Sequence, residues 1–193
     1  HVTPEDWLKH PGTVGKSVFG TLHVCDERGE KVPNGESGLV YFEQPQMPFE
    51  YFHDKDKTKS AQHPQHSNWS ALGDVGYIDD EGYLFLTDRA TFMIISGGVN
   101  IYPQEIEDAM VMHPKVADVA VVGVPNEEMG EEVKAVVQLA PGIEPTAAVQ
   151  AELMAYAREH IAHYKCPRSI DFEAELPRLP TGKLYKRILK DRY

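Results

Sequence analysis

Near Arg89 the hydrophobic pattern of the chain changes period, and no single repeating architecture accommodates both halves. Before that point the apolar runs are short and punctuated by turn formers. Runs 18–25 and 38–43 read as strands, with Asp26-Glu27-Arg28-Gly29 and Pro33-Asn34-Gly35 between them. A hairpin is predicted from Val75-Gly76-Tyr77-Ile78 and Tyr83-Leu84-Phe85-Leu86 around the acidic turn Asp79-Asp80-Glu81-Gly82. The polar stretch 54–68 predicts one short helix and a loop. Beyond Arg89 the elements lengthen. Pro103 stands where a helix begins, with Glu105, Glu107 and Asp108 near its positive dipole end and Ile106, Met110 and His113 on one face. Run 116–124 is almost continuously apolar, which predicts a strand covered on both faces. Val133, Ala135, Val137 and Leu139 alternate with Glu132, Lys134 and Gln138, Val136 being the exception, as in a half-buried strand. Thr146 can cap a helix whose stripe is Val149, Leu153, Tyr156 and His160. A Pro-rich connection and a short basic tail complete the chain. The fold class is therefore α+β, with a boundary near Arg89 to Phe92, no internal repeat and no low-complexity segment.

Composition narrows the partners. A formal net charge of −11 disfavours nucleic acid and anionic membrane, so anionic ligands need local positive sites. No apolar run is long enough to span a bilayer, and no charged-then-apolar leader precedes a cleavage site. Cys25 and Cys166 form no Cys-x-x-Cys pair and read as packed thiols in a reducing compartment. A cytoplasmic location is expected. The opening His1-Val2-Thr3-Pro4, without Met, suggests a start partway through a longer protein.

Several signals are weak alone. His53, His63 and His66 lie in a polar loop with no helical i, i+4 pair, so no metal site is expected. Ser96-Gly97-Gly98-Val99-Asn100 says only that the backbone bends or is closely approached. Thr181-Gly182-Lys183 lacks the upstream glycine spacing of a Walker loop, and Leu184 stands where a metal-binding hydroxyl would be needed. Lys183, Lys186, Arg187 and Lys190 in isolation read as a solvated helical face.

In order along the chain, these pieces form a pattern. Gly73-Asp74 precedes the Tyr83 hairpin. Asp88-Arg89 precedes Met93-Ile94-Ile95-Ser96-Gly97-Gly98, and then come Asn100-Ile101-Tyr102-Pro103-Gln104-Glu105-Ile106-Glu107 and Leu179-Pro180-Thr181-Gly182-Lys183. This succession resembles the adenylate-forming superfamily of AMP-forming acyl-CoA synthetases, adenylation domains and luciferases. Even Thr3-Pro4-Glu5-Asp6-Trp7 through Pro11-Gly12-Thr13-Val14-Gly15 looks like a stretch of that family. The resemblance implies that residues 1–90 are the distal, β-rich part of a large AMP-binding domain. Residues 91–193 would be a small mixed α/β mobile domain. It implies that Asp74 and Arg89 bind the ribose hydroxyls of ATP and AMP, that Leu86 touches the nucleoside, and that Lys183 reaches the reacting phosphoryl group during adenylation. A carboxylate can accept both protons of a diol, a guanidinium offers a fixed fork of donors, and an ammonium stabilises charge that peaks in the transition state. Gly97 and Gly98 resemble glycines that line the path of the pantetheine arm of CoA.

Departures from the family are specific. Thr91 stands at the pivot, where Asp or Lys is usual, and Leu72 stands where Thr is common before Gly73. Tyr164 matches an aromatic that stacks on CoA adenine in benzoate-type ligases. The phosphate-binding arginine two residues later is here Cys166, leaving Lys165 and Arg168 as candidate CoA cations. The implied reaction joins a carboxylic acid, of fatty or related type, to CoA through acyl-AMP, using ATP. A Mg2+ site is expected upstream of this chain. An adenylation domain that loads a carrier protein and a non-catalytic nucleotide- or partner-binding fragment are the alternatives. Oligomeric state is not legible.

Overall fold

A capping box starts the first helix. The Thr3 hydroxyl accepts from the Asp6 amide at 3.1 Å while the Asp6 carboxylate accepts from the Thr3 amide at 3.3 Å, and Pro4 occupies the first turn. The helix, α1 (Pro4–Lys9), is absent from the sequence reading because six residues are too few to show a period. The computed structural model describes residues 1–193, and the chain divides into two compact units, His1–Thr91 and Phe92–Tyr193.

The first unit is built on an antiparallel sheet of β1 (Thr21–Cys25), β2 (Gly38–Glu43), β3 (Trp69–Ser70), β4 (Asp74–Ile78) and β5 (Leu84–Arg89). The spatial order is β1-β2-β4-β5, with β3 also paired to β2. The strand expected from residue 18 begins only at Thr21, leaving Val18 and Phe19 exposed. Stretch 54–68 contains α2 (Lys55–Ser60), whose N-cap Asp54 accepts from the Lys57 amide. The β4–β5 hairpin pairs Tyr77 with Phe85 and turns on Asp79, whose Oδ1 accepts from the amides of Glu81 at 3.0 Å and Tyr83 at 2.8 Å. Alternation along β1 and β2 feeds two faces. Cys25 and Tyr41 pack with Trp69 and Ala71, while Val24 and Val40 pack with Leu84.

The second unit contains β6 (Ile94–Ser96), β7 (Val99–Ile101), α3 (Pro103–Met110), β8 (Val116–Asn126), β9 (Gly130–Leu139), α4 (Ala147–His160), β10 (Ser169–Phe172) and α5 (Lys186–Arg192). Its sheet order is β10-β9-β6-β7, with β8 antiparallel to β9. β10 runs parallel to β9, and α4 lies in the crossover that this direction requires. As expected, β8 is covered on both faces. Val119 and Val121 pack with Ile106, Met110 and Leu153, and Ala120, Val122 and Val124 pack with Leu176 and Leu189. Val136, the break in the β9 alternation, faces that second cluster. The α4 stripe is shifted from expectation: Val149, Leu153 and Ala157 are buried. Tyr156 and His160 stack on each other instead, with centroids 3.9 Å apart. The buried row advances by i, i+4 steps, which wind obliquely around the helix, so that Ala157 rather than Tyr156 follows Leu153 inward. No helix is long and apolar enough to cross a membrane.

Candidate active site

The ends of β4 and β5 bring two candidate ligand residues together. Asp74 and Arg89 are direct partners in the ladder. Arg89 Nη1 donates to Asp74 Oδ1 at 2.7 Å, and Nη2 donates to the Leu72 carbonyl at 2.9 Å. The Arg89 amide donates to Asp88 Oδ1 at 2.6 Å, so the guanidinium pairs with Asp74 rather than with its neighbour in sequence. Gly73, at φ +83°, turns the chain into β4, and its carbonyl accepts from the Ala90 amide at 2.9 Å. The side chains are 28% and 50% exposed, so the pair is accessible from solvent. Leu86, opposite Gly76 on β5, exposes 45% of its surface. A fixed pair of carboxylate and guanidinium suits the paired hydroxyls of a sugar.

Lys183 stands on a closed loop in the second unit. The Leu179 amide donates to the Lys183 carbonyl at 2.8 Å, the Gly182 amide to the Leu179 carbonyl at 2.8 Å, and the Tyr185 amide to the Pro177 carbonyl at 2.8 Å. Arg178 bonds the Gly182 carbonyl at 2.6 Å and forms an ion pair with Asp118 on β8. Gly182 supplies the left-handed turn at φ +84°. The backbone is therefore held while the Lys183 side chain is exposed and makes no hydrogen bond or ion pair. The neighbouring cations are not one solvated face, contrary to the sequence reading. Lys186 is buried against Glu107 at 2.7 Å, Lys190 meets Glu131 at 3.0 Å, and only Arg187 is widely exposed, 3.9 Å from Asp191.

Gly97 and Gly98 form the turn of the β6–β7 hairpin at φ +57° and +78°. A Cβ on Gly97 would lie 2.6 Å from Met129 Cε, whereas one on Gly98 would meet nothing within 4 Å. Met129 also accepts from the Gly97 amide through its carbonyl at 2.8 Å, a contact with no sequence signal. Thr91 is exposed in a 3-10 turn, Ala90–Phe92, at the end of the first unit. Tyr164 is exposed in the turn His163–Lys165. Lys165 Nζ bonds both oxygens of Glu105 at 2.8 and 2.6 Å. Partial burial pulls its ammonium down, but the Glu105 hydrogen bonds and charge leave it raised. Arg168 is exposed, with its amide bonded to the Val133 carbonyl at 2.8 Å. Burial raises the thiols of both free cysteines, Cys25 and Cys166.

Of the loop histidines, His63 is held in place by hydrogen bonds. His63 Nε2 lies 2.9 Å from the Gly29 carbonyl, while Nδ1 accepts from the amides of Gln65 and His66, which fixes the tautomer. No three His, Cys, Asp or Glu side chains are grouped as a metal-binding cluster.

Comparison with known proteins adds a family. Residues 105–183 match the AMP-binding enzyme C-terminal domain. Long-chain-fatty-acid–CoA ligase FadD13 of Mycobacterium tuberculosis is 36% identical over 190 residues, covering 98% of this chain and 36% of that protein. Fatty acid–[acyl-carrier-protein] ligase ScoC of Streptomyces coeruleorubidus is 38% identical over 170 residues, covering 88% of this chain and 32% of that protein. ATP-bound MatB from Rhodopseudomonas palustris shares the fold with a TM-score of 0.82 at 33% identity, over 95% of this chain and 36% of that one. The chain thus spans about a third of the length of the relatives it matches.

Proposed function

From the match of residues 105–183 to the AMP-binding enzyme C-terminal domain as premise, we propose that this chain is the C-terminal part of an adenylate-forming enzyme and that its full-length protein is an AMP-forming acyl-CoA ligase. The observation that carries the reading is the exposed, unpartnered Lys183 on a loop whose backbone is tied at every turn. A carboxylate oxygen of the acid bonds to the α-phosphorus of ATP and pyrophosphate leaves. The thiolate sulfur of CoA then bonds to the acyl carbon and AMP leaves. Asp74 and Arg89 hold the ribose, Leu86 lies against the nucleoside, and Lys183 stabilises charge on the α-phosphoryl oxygens in the first step. Gly97 and Gly98 leave room for the pantetheine arm in the second, and Thr91 is the pivot between them. In this reading the first unit is the end of a large AMP-binding domain and the second a small mobile one. Tyr164 and Lys165 are the CoA contacts, with Lys165 held by Glu105 until a phosphate competes for it.

The similarity to FadD13 supports a fatty or related acid as substrate, and a cytoplasmic place of action is inferred from the two unpaired cysteines. The test is AMP release by the full-length protein with a panel of acids. Release that requires both acid and CoA is the expected result, and release independent of CoA overturns the ligase reading. The similarity to ScoC supports a second acceptor, a carrier-protein thiol, which would replace CoA in the same assay.

A further inference from the structure

α5 begins three residues after Lys183, and its first residue, Lys186, is the only lysine or arginine that the fold buries. Its Nζ lies 2.7 Å from Glu107 Oε1 on α3, and the same oxygen accepts from the Val121 amide of β8 at 2.6 Å. Both side chains are more than nine-tenths buried, and Nζ also stands 5.6 Å from the ring centroid of Phe92, the residue that opens the second unit. β8 pairs with β9 on one side only, so the Val121 amide on its other side, inside the core, needs an acceptor. Glu107 supplies one, and Lys186 balances the charge that this leaves buried.

Apolar residues of similar volume would pack this position at least as stably as an ion pair. They would not fix it as narrowly, because dispersion tolerates a small slide of a helix along a strand whereas a 2.7 Å bond does not. The other end of the loop is held by a more exposed ion pair, Arg178 on Asp118. We propose that Glu107 and Lys186 are positioning residues for Lys183: the buried pair fixes where α5 begins and so sets the reach of the exposed ammonium. This rests on the adenylating role of Lys183 given above.

The test uses the full-length protein with Lys186→Met, the neutral pair Glu107→Gln/Lys186→Met, and Lys183→Ala as reference. Pyrophosphate exchange reads adenylation, and supplied acyl-AMP reads thioester formation. Thermal midpoint reads folding, and hydrogen exchange at the amides of Leu179, Gly182 and Tyr185 reads the loop. Lys186→Met strands a buried carboxylate and lowers the midpoint. The neutral pair recovers it, yet its loop amides exchange at least about tenfold faster. Adenylation by that pair falls roughly 10- to 100-fold, as misplacement of a catalytic group does, while thioester formation keeps its wild-type rate. Adenylation that recovers together with the midpoint, or half-reactions that fall equally, overturns the proposal. If Lys183→Ala adenylates normally, the role of Lys183 itself fails. The loop amides then decide alone: faster exchange in the neutral pair supports the positioning, and unchanged exchange overturns it.

Discussion

Lys183 and Lys186 are three positions apart, and the fold treats them oppositely: one ammonium is exposed without a partner, the other is sealed against Glu107. Lys183→Ala in the full-length protein is expected to lower adenylation by a factor of roughly 10²–10³ while leaving thioester formation from supplied acyl-AMP near normal. The proper control is Lys190→Ala, whose Glu131 pair is partly exposed, because Lys186→Ala would also remove a buried charge partner. A Lys190 variant equal to the Lys183 variant in pyrophosphate exchange would contradict the assigned role. Lys183 can be singled out in the sequence because five consecutive residues, Leu179 to Lys183, carry the motif. The burial of Lys186 is not legible there, since its partner lies on a distant helix and a cation in a basic tail looks solvated until the tail is folded. Acid sensitivity also belongs to this scale. The Asp6 carboxyl is held below its usual range by hydrogen bonds from Thr3 and Tyr83, and that of Glu152 by the Lys115 hydrogen bond and charge. A depressed folded pKa contributes stability that is complete above the unfolded value, about 4, and is lost as pH falls through the folded one. The thermal midpoint should therefore hold from neutral pH to about 5 and decline below about 4. Glu152→Gln should lower the neutral midpoint slightly and leave the acid one, which shrinks the drop; an unchanged drop would show that the pair contributes nothing.

Among the elements, length decided what could be read. β8, β9, α3 and α4 each show enough of a period to reveal their type, and their main error, the α4 stripe, concerns which neighbour of Leu153 turns inward. α1, β6 and β7 were missed or read only as a turn, because their form comes from caps and pairing rather than from periodicity. The β6–β7 turn gives an element-level prediction. A side chain on Gly98 meets open space, so Gly98→Leu costs chiefly the strain of a positive φ, about 1–3 kcal/mol. Its side chain would stand where the pantetheine arm is proposed to pass. Acyl-AMP formation should survive and thioester formation should slow, and single-turnover measurements of each step check this. Parallel loss in both would mark a folding defect.

At the scale of the molecule, every buried cluster is closed within one unit: two belong to His1–Thr91 and two to Phe92–Tyr193. The second unit, expressed as residues 92–193, should therefore fold alone, with dispersed amide resonances and a cooperative thermal transition. A spectrum of collapsed, exchanging signals would refute that. What the sequence could not reveal here is which strands are neighbours, since β9 lies between β8 and β10, with β6 touching it at one residue pair, Ser96 and Gly130. That central place also implies an order of assembly. β8 and β9 are joined by a short turn, so their ladder closes with little loss of chain entropy. β10 meets Lys134 to Val137 only after the chain has run through α4, a distant contact that forms late. The segment from Leu176 through α5 packs on the β8 face that this ladder creates, and is expected to be the last to gain protection during refolding. The lysine proposed to act in the first chemical step would thus be carried by the last piece of the unit to set.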